Sequence, residues 1–155
     1  MKDTTPLSKL KYLIFSANNI FEKKVKNIKK MNFLIIDGAQ DKINFFSNFN
    51  NNSYHKTIEA SKNNNEKFSF ELFNFFDENG IKLSELNNIF INQGPGIFSG
   101  IRTSIAVAKA LAVTYRINLY GFNSKELKNK NYNNIVNLYK KGALIKNLIN
   151  PVYSS

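Results

Sequence analysis

The pattern of apolar and polar positions predicts a mixed α/β domain in the middle of the chain. Residues 33–36 are apolar without interruption and end at Asp37, as expected for a strand buried on both faces. A similar run precedes Asn92, and looser alternation marks the other strands. The five predicted strands are 33–37, 42–49, 53–58, 88–92 and 118–122.

Helices are predicted between the later strands. Apolar residues at helical spacing indicate a helix over 66–79, which Asn63–Asn65 can cap and Gly80 can end. A short helical turn is expected at 83–86, a helix at 99–115, and another helix capped by Ser124. The order β-β-β-α-β-α-β predicts a five-stranded mixed sheet with helices on its faces, built from two hairpins and right-handed crossovers. This is half of an RNase H-like or actin-like fold.

Both ends of the chain have weaker patterns. Residues 1–30 form a basic leader with a weak helical pattern, or reflect an upstream start codon with Met31 as the true start. Residues 31–127 form the predicted domain, and 128–155 a reduced remnant of a second half. In that remnant we expect a loop at 128–134, a helix over 135–149 broken near Gly142, and an extended end at 151–153.

Composition excludes several classes of site. The chain has no Cys and one His, so disulfides, histidine metal clusters and a Ser-His-Asp triad have almost no residues to use. No apolar run reaches the roughly 20 residues that span a bilayer. We therefore expect a cytoplasmic protein without a membrane anchor.

The net charge of +11 has two explanations. Residues 1–30 carry +6 of it, and the remaining residues carry 14 basic and nine acidic groups. The joint excess of Asn, Lys, Ile and Phe is typical of an AT-rich genome, which would raise the charge without selection for it. The alternative is a surface that binds nucleic acid directly.

One glycine-rich stretch differs from the rest of the sequence. Gly94, Pro95, Gly96 and Gly100 lie between a predicted strand and the helix 99–115. Glycines at such a junction let a ligand approach the helix N-terminus, or simply form the turn that starts the helix. The Lys-Ser/Thr ending of a P-loop is missing, and Pro95 interrupts a dinucleotide fingerprint. Four alanines keep the helix surface small, for core packing or for a close neighbour.

These residues resemble the signature of the TsaB (YeaZ) family. Gly94 to Arg102, followed by Ala108 to Ala112, is similar to the family's Gly-Pro-Gly-Ser-Phe-Thr-Gly-Leu-Arg and Ala-Lys-Gly-Leu-Ala. Residues 34–37, 83–87 and 121–124 resemble further family elements in the same order. Three features depart from the family pattern. Asp37 is followed by Gly-Ala, and Asn65-Glu66 stands where the family's first helix usually starts with His, often as His-Ser-Glu. Only residues 128–155 correspond to the second half of the family's chains.

The resemblance implies a non-catalytic subunit with an actin-like (ASKHA) fold. Such a subunit binds a TsaD-type enzyme, which threonylcarbamoylates adenosine 37 of tRNA (t6A), with a TsaE-type ATPase in the larger complex. It contacts tRNA only indirectly, through its partners. It needs no cofactor of its own, because ATP and metal bind to the partner subunits. Without the enzyme, it can form a homodimer through the face that otherwise binds the enzyme. Two alternatives stay open: a minimal nucleotide-binding or glycoprotease-like protein, and a direct tRNA-binding module.

The resemblance also implies where the partner binds. The helices 66–79 and 99–115 form the joint, and Arg102 stands out because a cation in the first helical turn opposes the helix dipole. Asp37 is expected to be a remnant of a nucleotide site. The predicted interface residues are Phe98, Arg102, Ile105, Lys109, Phe68, Leu72 and Phe76.

Overall fold

The computed structural model of the chain describes residues 6–29, 31–59, 64–146 and 148–154, without the side chains of 21–29, 64, 65 and 98. None of the described helices is long and apolar enough to cross a membrane. The helices are α1 (Pro6–Lys29), α2 (Asn64–Asn79), α3 (Phe98–Tyr115) and α4 (Asn133–Lys140). The strands are β1 (Phe33–Asp37), β2 (Lys42–Phe49), β3 (Asn52–Glu59), β4 (Asn88–Asn92), β5 (Asn118–Phe122) and β6 (Ile145–Lys146).

The strands form one mixed sheet in the order β3-β2-β1-β4-β5-β6. The three N-terminal strands form antiparallel hairpins, while β1, β4 and β5 run parallel. Helices α2 and α3 make the two parallel crossovers. Because both crossovers progress in the same direction across the sheet, both helices cover the same face.

The two faces of the sheet have different cores. Along β1, Leu34 and Ile36 pack toward α2 and α3, whereas Phe33 and Ile35 point to the opposite face. The first face is mainly aliphatic, with phenylalanines from β2 and α2. The second is rich in aromatic rings and is covered by the segment 124–146, whose Ile135 is fully buried.

The five predicted strands and both crossover helices are confirmed. The C-terminal prediction is partly wrong: the helix ends at Lys140, and residues 145–146 form a sixth strand beside β5 instead of continuing it. The expected loop 128–134 contains a 3-10 turn at Lys128–Lys130 and the start of α4. Ser124 does not cap a helix, because Asn123 caps a 3-10 turn with Glu126 in a reciprocal pair of hydrogen bonds.

The weak helical pattern of the leader corresponds to helix α1. Several of its large apolar side chains are exposed, among them Leu10, Leu13 and Phe15. Its origin as a natural leader or a start-site artefact stays a prediction.

Candidate functional site

Two polar side chains meet where the central parallel strands end. Ile36 of β1 is in register with Ile91 of β4, so Asp37 and Asn92 are neighbours at the carboxyl edge of the sheet. Both are buried, and the Asn92 amide nitrogen donates to Asp37 Oδ1 at 2.8 Å. The backbone N–H of Ala39 donates to the same oxygen at 3.3 Å. The carboxylate is thereby built into the turn between β1 and β2.

The second oxygen of Asp37 is held from the other side of the sheet. The Tyr132 hydroxyl donates to Asp37 Oδ2 at 3.1 Å. Burial raises the pKa of Asp37 above its usual range, although the hydrogen bonds from Asn92, Ala39 and Tyr132 and the charge of Lys130 oppose that shift. Burial, reinforced by the Asp37 charge, also raises the pKa of Tyr132. The tyrosine is therefore a permanent donor at physiological pH.

Asn92 connects this carboxylate to the Gly-Pro-Gly loop. Its Oδ1 accepts from Gly94 N at 2.9 Å and from Ser124 Oγ at 3.1 Å. Ser124 also bonds the loop twice, through its hydroxyl to Pro95 O and its N–H to Gly94 O. The Gly94–Pro95 peptide is cis. One buried network thus fixes the strand ends, the loop and the segment after β5.

The glycines of the loop are needed because the chain packs on itself. A Cβ on Gly96 would collide with the backbone carbonyl of Ala39, and one on Gly94 with that of Val152. Gly94 also has a φ of +107°, which side-chain-bearing residues rarely adopt. Gly100 approaches the carbonyl of Gly38 in the same way. Of the two roles considered for these glycines, close backbone packing is the one the contacts show.

Sequence reasoning did not identify Asn92, Ser124 or Tyr132 as members of this network. Asn92 could have been predicted from the sequence, since it ends an apolar run just as Asp37 does. No sequence pattern pointed to Tyr132, because it lies in a stretch dominated by Lys and Asn. Among the described residues, no three His, Cys, Asp or Glu side chains come together as a metal site would require.

Most of the predicted interface side chains lie in the core. Ile105, Phe68, Leu72 and Phe76 are at most 4% exposed, between the two helices and the sheet. In the isolated chain these four predicted interface side chains are not accessible to a partner, because helical spacing shows that such residues share a face but not which face is covered. Arg102 and Lys109 are exposed. The side chain of Phe98 lies outside the described residues.

Both α2 and α3 nevertheless expose apolar side chains to solvent. On α2, Phe70 is 65% exposed and Phe73 is 45% exposed. On α3, Val113 is 81% exposed, and it shares its side of the helix with exposed Ala106 and Ala110. We call these five residues, with Arg102 and Lys109, the helix-pair face.

Comparisons with known proteins agree with this fold. The family model described as TsaD, tRNA N6-adenosine threonylcarbamoyltransferase, matches residues 49–132, more than half of the chain. The tRNA threonylcarbamoyladenosine biosynthesis protein TsaB of Buchnera aphidicola subsp. Schizaphis graminum is 39% identical over 44 residues, which are 28% of this chain and 21% of that protein.

Solved structures of YeaZ share the fold. YeaZ from Pseudomonas aeruginosa superposes with a TM-score of 0.60 at 17% identity, covering 72% of this chain and 50% of that one. A second structure from Pseudomonas aeruginosa, with similarity to peptidase YeaZ, has the same score and identity and is covered to 49%. The chain thus spans half or less of each of these relatives. It belongs to the family described as TsaD, tRNA N6-adenosine threonylcarbamoyltransferase, and within it is a TsaB/YeaZ-like protein.

Proposed function

We propose that this chain is a non-catalytic accessory subunit in the biosynthesis of threonylcarbamoyladenosine on tRNA, and that it acts by binding a TsaD-type enzyme. The family match supports the pathway. The observation that carries the binding role is the helix-pair face, where large apolar side chains remain in water on two packed helices. Large exposed apolar side chains are typical of surfaces that another protein covers.

The chemistry of the helix-pair face suits a helical partner. Ala106 and Ala110 leave a shallow path along α3, so a neighbouring helix can approach closely. Phe70 and Phe73 of α2 are exposed and can insert into a pocket on the partner. Arg102 and Lys109 place positive charge at its border, which favours acidic side chains opposite them.

The hydrogen-bond network around Asp37 and Asn92 supports a structural rather than a catalytic role for Asp37. Both carboxylate oxygens accept hydrogen bonds from the chain itself, and the loop glycines contact backbone carbonyls. A group of this kind is better suited to hold the loop and the start of α3 in place than to bind a substrate. The network then acts as the support beneath the helix-pair face.

The test is co-expression with a TsaD homologue followed by size-exclusion chromatography. We expect the wild-type chain to co-elute, and Phe70→Asp and Val113→Asp to abolish co-elution, because each places a charge in an apolar contact. Arg102→Glu should weaken the complex without unfolding the chain. Leu13→Asp on α1 is the control, since Leu13 is 63% exposed and thus similar to Phe70.

Two results would contradict the proposal. The first is a wild-type chain that does not co-elute with the enzyme, and the second is a complex that tolerates both aspartate variants. Calorimetry with ATP tests the enzymatic alternative separately, because a nucleotide-binding protein must bind ATP as an isolated chain.

A further inference from the structure

The positive charge of the chain is concentrated outside its central part. Residues 31–124 contain eight basic and eight acidic residues, so they are neutral overall. Residues 125–155 contain six lysines and one glutamate. A genome-wide bias toward Lys would add charge throughout, so it does not account for a neutral centre beside a segment of net charge +5.

Three lysines of residues 31–124 form ion pairs, whereas those of residues 125–155 are exposed to solvent. In the centre, Lys42, Lys56 and Lys82 form ion pairs with glutamates. The one acid of the later segment, Glu126, turns inward, and its carboxylate accepts from the backbone N–H of Asn123. All six lysines are exposed: Lys125, Lys128, Lys130, Lys140, Lys141 and Lys146.

These lysines belong to the segment 124–146, which is folded as a layer against the second face of the sheet. Tyr139 packs its ring against Phe90 and Tyr120 at centroid distances of 5.4 and 5.0 Å, and the Tyr132 ring stacks on Phe46 at 5.5 Å. Lys128 and Lys130 precede α4, whereas Lys140 ends the helix and Lys141 follows it, about 12 Å further along the helix axis. The backbone positions that carry these lysines are therefore fixed relative to one another, so less entropy is lost on ligand binding than in a disordered segment.

Between the lysines, the outer surface of this layer is made of amides. Asn129, Asn131, Asn133 and Asn137 are exposed. Beside Lys140, a groove of about 190 Å³ lies between α4 and the β2–β3 hairpin, with polar Asn48, Ser53 and Asn133 and the ring of Phe46 in its lining. Cations combined with amides and an aromatic ring suit phosphates and unstacked bases better than they suit lipid headgroups alone.

From these observations we infer that the outer surface of residues 125–146 binds the phosphate backbone of RNA. This inference rests on the proposed function for the choice of RNA as the polyanion, since the family acts on tRNA. Lys146 lies at the edge of the sheet, where it lines a pocket together with Lys109 and Val113. The rest of the surface lies on the opposite side of the sheet from the helix-pair face. The chain can therefore contact an enzyme and an RNA at the same time.

The test is binding of an unmodified tRNA transcript to the full chain, measured by fluorescence anisotropy between 50 and 200 mM salt. The variant Lys128→Gln/Lys140→Gln/Lys141→Gln removes three charges from the surface. The control Lys42→Gln/Lys67→Gln/Lys82→Gln removes three from the neutral centre. Any contribution from the leader is the same in all three proteins.

We expect the surface variant to lower the slope of log affinity against log salt by about 2–3 units, since each phosphate contact contributes about 0.7–0.9. The wild-type affinity then falls roughly 20- to 40-fold further than that of the variant over this salt range. The control should retain the wild-type slope. Equal slopes for surface variant and wild type, or an equal loss in the control, would overturn the inference.

Two further probes separate RNA from other polyanions. Equal affinity for a DNA duplex, or tighter binding to vesicles containing phosphatidylserine that the same three substitutions abolish, would refute the assignment to RNA. Co-elution with the TsaD homologue is measured independently. A chain that binds the enzyme but not tRNA would refute this inference and leave the proposed function standing.

Discussion

Replacing Asp37 separates the charge of its carboxylate from its shape as a hydrogen-bond acceptor. In Asp37→Asn, the amide oxygen still accepts from Asn92 and Ala39, and the new NH₂ group can donate to the Tyr132 oxygen. We expect its free energy of unfolding at neutral pH to lie within about 1 kcal/mol of wild type. Asp37→Ala removes the acceptor and leaves the Asn92 amide, the Ala39 N–H and the Tyr132 hydroxyl without their partner.

The magnitude for the alanine variant follows from those three donors. A donor left unsatisfied in a protein interior costs about 1–3 kcal/mol. The Ala39 bond is long at 3.3 Å, and Tyr132 is only partly buried so that water can compensate some of its loss. The sum is therefore about 2–4 kcal/mol. For a chain of this size that corresponds to a decrease in Tm of roughly 5–15 °C.

The pH dependence gives a second, independent readout. Burial raises the pKa of Asp37 above 3.8 in the folded state, so over the interval between 3.8 and the raised value the folded chain holds a proton that the unfolded chain has lost. The contribution of Asp37 to the free energy of unfolding therefore falls as pH rises through that interval, and it is constant above it. Asp37→Asn cannot titrate, so its stability relative to wild type should improve as pH rises from 4.

Thermal unfolding followed by circular dichroism from pH 4 to 8 measures both effects. If Asp37→Asn is as unstable as Asp37→Ala at every pH, the charge itself is required, and the structural role of Asp37 as a hydrogen-bond acceptor whose charge is dispensable is refuted. That role is also refuted if Mg-ATP raises the Tm of wild type but not of Asp37→Asn, since Asp37 would then be part of a working nucleotide site.

The remaining predictions concern burial and close packing. Leu72→Ala should lower the free energy of unfolding by about 2–5 kcal/mol in urea titrations, because Leu72 is fully buried, whereas Phe70→Ala should change it by less than about 1 kcal/mol. Similar losses for both would mean that Phe70 is covered in the free chain. Gly96→Ala should destabilise far more than Gly80→Ala, because its Cβ meets the Ala39 carbonyl while the Gly80 site is open and costs only about 1 kcal/mol for its positive φ. Equal losses would show that the loop moves freely away from Ala39.

The parts of the fold that depend on local pattern could be predicted from the sequence. The continuous apolar runs of β1 and β4 and the periodicity of α2 and α3 reflect their burial directly. Strand β6 could not be predicted, because two residues carry no periodicity and pair only through the edge of β5.

The candidate site was harder to predict because its members are distant in sequence. Asp37 and Tyr132 are 95 residues apart and meet only when the segment 124–146 folds over the second face. On α2, phenylalanines occur on both the buried and the exposed sides, so composition could not show which ones remain available to a partner.

The tyrosines on the second face of the sheet can report spectroscopically on the packing of that face without an added label. The chain contains no tryptophan, so tyrosine emission is not masked. Tyr132 and Tyr139 lie on the inner side of the lysine-bearing layer, where their rings contact Phe46 and Tyr120 of the sheet, and Tyr132 donates to a carboxylate. Release of that layer should change tyrosine fluorescence and near-ultraviolet dichroism while the far-ultraviolet signal of α2 and α3 persists. Detachment of one side of the sheet can thus be followed in the unlabelled protein.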